Sequence, residues 1–448
     1  MDPSQLFVLS FVLLIILGSL GFRYLPGLYV EQPLSWLDSL FTATSAVCVT
    51  GLIVVDTASS FTLWGQIYLL ILIQLGGLGM LTLTSMIIAT LGGRLSLRAE
   101  AIAVGNRQGG PYVDAKRLVI DVFRFSIFIE LIGAVTLLVF WIPQMGLREA
   151  IWPAIFHSVS AFCNAGFSTY SDSLVQFQGS PGTTITISML IVIGGLGLLS
   201  LEELYQSKMR RRKTESQHQR PLSVQTILVL STTAVLILSG WVLFLIFEWS
   251  FTLDEMSLPD KLHNSLMMSV TARTAGFNSI DYQSATNSSN FLTILLMMIG
   301  GSPGSTTGGM KTTTFALLGL LAWSRLRGER TTSFARRSIP DETIQRAVGL
   351  FVMATGVVVV AVLALATSEA VGTSKADFLP IMFEAVSAFN TVGLSMGVTE
   401  QLSPFGKCLM IALMFLGRVG PLALVSAFIV RRTSAAAYRY ANEDVIVG

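Results

Sequence analysis

The chain is 448 residues long, with 52% hydrophobic residues, 12% charged residues and a formal net charge of +2. Charges this sparse cannot cover the surface of a soluble fold of that length, so a soluble enzyme or a nucleic-acid-binding module is excluded and a polytopic membrane protein remains. Three cysteines give neither a disulfide framework nor a paired metal-ligand spacing.

Apolar runs long enough to cross a hydrocarbon core of about 30 Å lie at about 6–22, 64–91, 118–142, 184–201, 224–249, 291–323, 344–367 and 405–430. The first has no basic n-region and no small-residue cleavage site, so it reads as an uncleaved anchor. Shorter apolar stretches at about 34–48, 151–163, 258–271 and 376–390 cannot cross and read as re-entrant half-helices. Each leads into one recurring pattern that ends in glycine: SAVCVTG at 45–51, SAFCNAG at 160–166, VTARTAG at 270–276 and SAFNTVG at 387–393. A second glycine signal comes after each pattern, at Gly76-Gly77, Gly194-Gly195, Gly300-Gly301 and Gly417. The expected fold is an all-α integral membrane protein of four repeats, at 1–93, 94–204, 205–330 and 331–448. Each repeat is a helix, a pore half-helix, a filter loop and a helix. Pseudo-fourfold symmetry around one pore then requires eight transmembrane helices and four re-entrant pore helices.

Of the 29 Lys and Arg, 22 fall in the even-numbered loops and the tail. The positive-inside rule puts those segments and both termini in the cytoplasm, so the glycine patterns approach from outside. The basic run 210–213 is explained by topology, with anionic lipid headgroups as the other reading.

Non-helical backbone at membrane depth must be buried or line a watery cavity, and four such segments converging make a cavity. A monovalent cation sheds its water only where carbonyl oxygens replace it without a full charge to trap it. Glycine supplies the backbone angles that turn successive carbonyls inward. The expected selectivity filter is therefore Val49, Thr50 and Gly51; Asn164, Ala165 and Gly166; Thr274, Ala275 and Gly276; and Thr391, Val392 and Gly393. In the third copy Arg273 stands where the others have Cys48, Cys163 and Asn390. Its side chain is expected either to turn behind the filter toward a carboxylate, with Glu384 the candidate, or to point outward into solvent.

The sixth run carries Gly300, Gly301, Ser302, Pro303, Gly304, Ser305, Thr306, Thr307, Gly308 and Gly309, which no continuous helix tolerates cheaply. The span must break there, as a lining of the conduction route or as a passive kink. Arg418 lies within the eighth run, where a charge is costly and should face the protein interior or cavity water. It reads as a barrier under the filter, with a structural pairing as the alternative.

These motifs, with GGSPGSTTGGMKTTT after the third, resemble the superfamily of potassium transporters that includes the bacterial Trk and Ktr membrane subunits and the plant HKT proteins. The short N-terminus resembles the Ktr type, the KtrB group. The resemblance implies potassium uptake across the bacterial plasma membrane, a gate at 300–309, and a homodimer with the tail 438–448 at its interface. It also implies control by a cytoplasmic nucleotide-binding ring of RCK type, KtrA-like. Glycine at all four filter positions favours potassium over sodium in that family, and a carrier of sodium or another monovalent cation is the alternative. Potassium is the transported ion, and no cofactor is expected in this chain. No nucleotide fingerprint is present, so the nucleotide belongs to a separate chain. Dependence on sodium stays open. His157, His218 and His263 form no metal spacing, and Glu130, Glu202 and Glu203 form no proton relay, so no enzyme is expected.

Overall fold

A computed structural model describes residues 3–87, 115–197, 200–205, 207, 222–369 and 377–420. The basic run 210–213 and the tail 438–448 lie outside the described residues. The first unit comprises α1 (Pro3–Tyr24), α2 (Trp36–Val47) and α3 (Leu63–Ile87), and the second α4 (Ala115–Met145), α5 (Leu147–Cys163) and α6 (Pro181–Leu196). The third comprises α7 (Val224–Glu248), α8 (Leu258–Thr271), α9 (Asn287–Met297) and α10 (Thr312–Leu326). A short hairpin, β1 (Ser333–Phe334) with β2 (Arg337–Ser338), leads to α11 (Asp341–Glu369), α12 (Phe378–Phe389) and α13 (Pro404–Val419).

Among the described residues four stretches are long and apolar enough to cross a membrane: Phe7–Tyr24, Val122–Met145, Val224–Glu248 and Asp341–Glu369. Each belongs to the first helix of its unit. Most of their exposed side chains are apolar, such as Leu13, Val139, Ile246 and Val360, as a lipid-facing helix requires. The short helices α2, α5, α8 and α12 sit inside this shell. Besides the first helix of its own unit, each packs on the later helix of that unit and on the later helix of the unit before. Thus α3 meets α5, α6 meets α8, α9 meets α12, and α13 returns to α2. The chain closes on itself.

The second glycines make that packing possible. A Cβ added to Gly76, Gly194 or Gly417 would overlap the carbonyl oxygen of Val47, Phe162 or Phe389, four residues before the corresponding pattern glycine. Backbone meets backbone there, so nothing can move aside. Gly417→Ala should lower the thermal midpoint sharply, since overpacking costs about 1–3 kcal/mol where neighbours can yield and more where they cannot. Gly319→Ala, on α10 with nothing within 4 Å, should leave it unchanged or raise it. Equal shifts would contradict this packing.

Two carboxylates tie the units internally. Glu248 at the end of α7 accepts from Thr286 N (2.9 Å) and Oγ1 (2.8 Å), the N-cap of α9. Glu369 at the end of α11 accepts from Ser403 N (3.2 Å) and Oγ (2.6 Å), the N-cap of α13. The two helix starts are thereby tied from across the unit.

The sixth run does break, between Met297 and Thr312. Contrary to expectation, the run at 184–201 is interrupted as well: α6 ends at Leu196, because Gly197 turns left-handed at φ +82°, a Cβ there would lie 2.7 Å from Pro303 O, and 200–205 are helical again. Helix α13 ends at Val419 with Gly420 at φ +84°, and the expected continuation to 430 lies outside the described residues. The half-helix expected at 151–163 begins earlier, at Leu147.

Candidate functional site: a closed ring of four glycine segments

At the C-terminal end of each short helix the backbone repeats one conformation. The residue two before the glycine is left-handed in all four copies: Val49 (φ 55°), Asn164 (58°), Thr274 (67°) and Thr391 (50°). The glycines are left-handed too: Gly51 (φ 93°), Gly166 (71°), Gly276 (79°) and Gly393 (94°). Val49 and the two threonines are β-branched, so each holds this conformation against a cost of about 1–2 kcal/mol. Such strain persists only where surrounding structure fixes it. Here the residue between the two left-handed positions is tied back to the helix. Thr50 N, Ala165 N and Val392 N donate to Ser45 O, Ser160 O and Ser387 O, all at 2.8 Å. In the third copy Ala275 N donates to Thr271 O at 3.0 Å, one residue later. Hydroxyls add braces: Gly51 N to Ser45 Oγ and Gly393 N to Ser387 Oγ (both 3.1 Å), Ser160 Oγ to Phe167 O (2.8 Å), and Thr271 Oγ1 to Phe277 O (2.5 Å).

The four segments form a ring. The Cβ direction of Gly51 faces Ala165 O, that of Gly166 faces Ala275 O, that of Gly276 faces Val392 O, and that of Gly393 faces Thr50 O. The order is therefore first, second, third, fourth and back to first. Thr50, Ala165, Ala275 and Val392 are themselves fully buried, while their carbonyl oxygens lie against the neighbouring glycine. Four carbonyls on one circumference, with no carboxylate among them, suit a dehydrated monovalent cation.

Residues 300–309 lie across the C-terminal ends of the short helices. Ser302 N donates to Gly195 O (2.9 Å), Thr306 N to Gly194 O (3.3 Å), Thr306 Oγ1 to Phe162 O (3.2 Å) and Gly309 N to Gly417 O (3.2 Å). A Cβ on Gly308 would overlap Thr391 Oγ1, and one on Gly300 would stand 3.5 Å from Thr274 Cγ2. Ser302, Ser305, Thr306 and Thr307 are at most 1% exposed. Arg418 fastens the segment: its Nη1 donates to Thr306 O and its Nη2 to Gly76 O at 2.8 Å, so α13, α3 and the loop meet at one guanidinium.

The profile of the TrkH family, described as cation transport protein, matches residues 10–440. The chain belongs to this family. It is 39% identical over 449 residues to the Ktr system potassium uptake protein B of Bacillus subtilis, covering all of this chain and 97% of that protein. It is 36% identical over 456 residues to the potassium/sodium uptake protein NtpJ of Enterococcus hirae, covering all of this chain and 98% of that protein. The fold is similar to the crystal structure of the potassium transporter TrkH from Vibrio parahaemolyticus, with a TM-score of 0.76 and 21% identity over 96% of this chain and 85% of that one.

In this TrkH-family chain the ring brings together all twelve residues expected from sequence, and the segment 300–309 lies beside them. One expectation is corrected. Arg273 is buried, 7% exposed, yet it neither pairs with Glu384 nor reaches solvent. Its Nη2 lies 3.5 Å from both Thr233 Oγ1 and Gly300 O. Register explains this: Arg273 stands three residues before its glycine, just past the end of α8, whereas Glu384 stands nine before its own, in the middle of α12. Arg418 donates both bonds to carbonyls. Arg418→Met would leave the Thr306 carbonyl without its donor, at about 1–3 kcal/mol, and free the loop. Higher cation flux with a lower thermal midpoint is expected; lower flux from folded protein would count against a latch.

Several participants escaped sequence reasoning. Gln74 Nε2 donates to both oxygens of Glu130 (2.9 and 3.0 Å), and Cys163 Sγ donates to Gln74 Oε1 (3.3 Å), a buried polar chain behind the second segment. Lys311 Nζ donates to Thr307 O at 2.7 Å, folding the loop on itself. In the loops after the first and second glycine segments Asp56 accepts from Ser171 Oγ at 2.6 Å. Burial raises its carboxyl, but Ser171, Ser59 and two backbone amides outweigh that and hold it below the usual carboxylate range. These contacts join residues up to 115 positions apart, and no local spacing announces them.

Proposed function

We propose that this chain is the membrane subunit of a potassium uptake system. The single observation that carries the reading is the closed ring of four glycine segments, each with the same pair of left-handed residues. Potassium enters through a filter of Val49, Thr50, Gly51, Asn164, Ala165, Gly166, Thr274, Ala275, Gly276, Thr391, Val392 and Gly393. The units 1–93, 94–204, 205–330 and 331–448 act as four repeats around one pore, with α2, α5, α8 and α12 as re-entrant pore helices. Each ends at the ring, so four negative dipole ends of roughly half an elementary charge favour a cation there. The segment 300–309 is the gate and Arg418 its latch. The relatives named for potassium uptake, and for potassium/sodium uptake, support the ion class; glycine at all four positions supports potassium.

The chain sits in the plasma membrane with both termini in the cytoplasm, which the distribution of Lys and Arg supports. It works as a homodimer on a cytoplasmic ring of RCK type, a separate chain that carries the nucleotide. Flux of potassium and of sodium into proteoliposomes holding the purified protein tests the reading. Uptake that prefers potassium is expected, and equal uptake of both ions would overturn it in favour of a general monovalent cation carrier.

A further inference from the structure

Nine residues before its glycine, each short helix carries one buried side chain behind its own segment: Thr42, His157, Met267 and Glu384. Two of the four reach across to the chain beyond the glycine. His157 Nε2 lies 2.8 Å from Ser168 Oγ, and Glu384 Oε1 accepts from Ser395 Oγ at 2.6 Å. Ser168 and Ser395 both stand two residues after their glycine. The same strut, from nine before to two after, is thus built twice with different chemistry.

The other two units do not have it. Their positions two after the glycine are Ile53 and Asn278. The hydroxyl of Thr42 has no partner, and the sulfur of Met267 accepts from Ser188 Oγ at 3.1 Å. Asn278 is held from the second unit instead: Leu174 N donates to its carbonyl (3.0 Å) and its own N donates to Ser173 Oγ (3.3 Å). Because the ring runs first, second, third, fourth, the two strutted segments face each other across it.

We propose that His157 and Glu384 are positioning residues for ion selection, a diagonal pair of buried struts that fix the outer turns of the second and fourth filter segments. The inference rests on reading the ring as the filter. Both struts are chemically determinate. Glu384 takes four donors on two oxygens: Ser395 Oγ, Met396 N (3.0 Å) and Val398 N (3.3 Å) on Oε1, and Thr399 Oγ1 (2.5 Å) on Oε2. Met396 N and Val398 N can only donate, so Oε1 must accept, which a carboxyl oxygen does and an apolar side chain cannot. His157 Nδ1 faces Pro153 O at 2.8 Å and so carries a hydrogen, which fixes the ring's orientation. Its ring stacks on Tyr170 at 5.3 Å and meets Trp141 edge-on at 5.3 Å, so it cannot swing away. Each strut ties a segment's outer turn to its rigid helix, and the peptide planes between them keep their direction. Discrimination between cations that differ little in radius depends on that constancy, whatever share field strength and cavity size take.

The test uses purified full-length protein in proteoliposomes, with the ratio of half-saturating potassium to half-saturating sodium read apart from the maximal rate. Glu384→Leu roughly keeps the volume but removes every acceptor, and His157→Phe keeps the ring but removes the bond. Each should reduce potassium preference about three- to tenfold, and the pair by more, while sodium flux per folded molecule holds or rises. Thr42→Val and Met267→Leu, at the same register without a strut, should leave the ratio unchanged. If the first two variants fail to fold, Ser168→Ala and Ser395→Ala remove the other end of each strut and should shift the ratio in the same direction. Folded strut variants with the parent ratio overturn the inference when Gly51→Ser does shift it. If Gly51→Ser shifts nothing either, the filter reading itself has failed.

Discussion

Replacing Gly51 by serine should abolish most of the preference for potassium over sodium while leaving a folded protein. Gly51 sits at φ 93°, where a side chain costs about 1–2 kcal/mol, and a Cβ there would overlap Ala165 O of the next segment. Both penalties fall on one point of the ring. The first segment must retreat, and its carbonyls leave the positions proposed to coordinate a dehydrated potassium ion. A displacement worth about 1.4 kcal/mol of differential binding is a tenfold change in preference. The check is the ratio of concentrations of the two ions that half-saturate uptake, and an unchanged ratio would remove Gly51 from the filter.

The second large effect belongs to the loop. Deleting residues 300–309 should give a protein that keeps its ion preference, conducts at least tenfold faster and no longer responds to a cytoplasmic partner. The loop's bonds run to Gly194, Gly195, Phe162 and Gly417 and through Arg418 to α3, so it touches all four units beneath the ring. A helix continuing from α9 to α10 would satisfy its own backbone more cheaply; ten residues of glycine, proline and hydroxyl side chains are kept at a cost in helix stability. Flux per assembled molecule, with and without the partner, decides. A well-assembled deletion with parent flux and parent regulation would make the segment a passive kink.

How much of this was legible in the sequence depends on the range over which each interaction acts. The four glycine patterns could be read because capping, left-handed turns and the end of a short helix are local, and the short helices fall close to where apolar length put them. The second glycines were visible as a spacing but not as a cause: the overlap of Gly76 with Val47 O joins two elements and appears only when they pack. The interruption after α6 is hidden because apolar composition continues past Gly197 while the backbone turns there. Neither a carboxylate partner nor solvent awaits Arg273; its charge is legible in the sequence, and its depth along the helix is not. Glu384, taken only as a partner for that arginine, instead fastens its own segment. His157, set aside for want of a metal spacing, occupies the equivalent position in the second unit.

If the ring is the filter, carbonyl oxygens from all four segments coordinate one dehydrated cation on its axis. Rubidium, close to potassium in size, can be located by its anomalous scattering in crystals of the protein grown without sodium. An anomalous peak is expected on that axis, level with the carbonyls of Thr50, Ala165, Ala275 and Val392 and absent in crystals of the Gly51→Ser variant. Rubidium bound only elsewhere in the parent protein, with the ring empty, would contradict a filter built from these four segments.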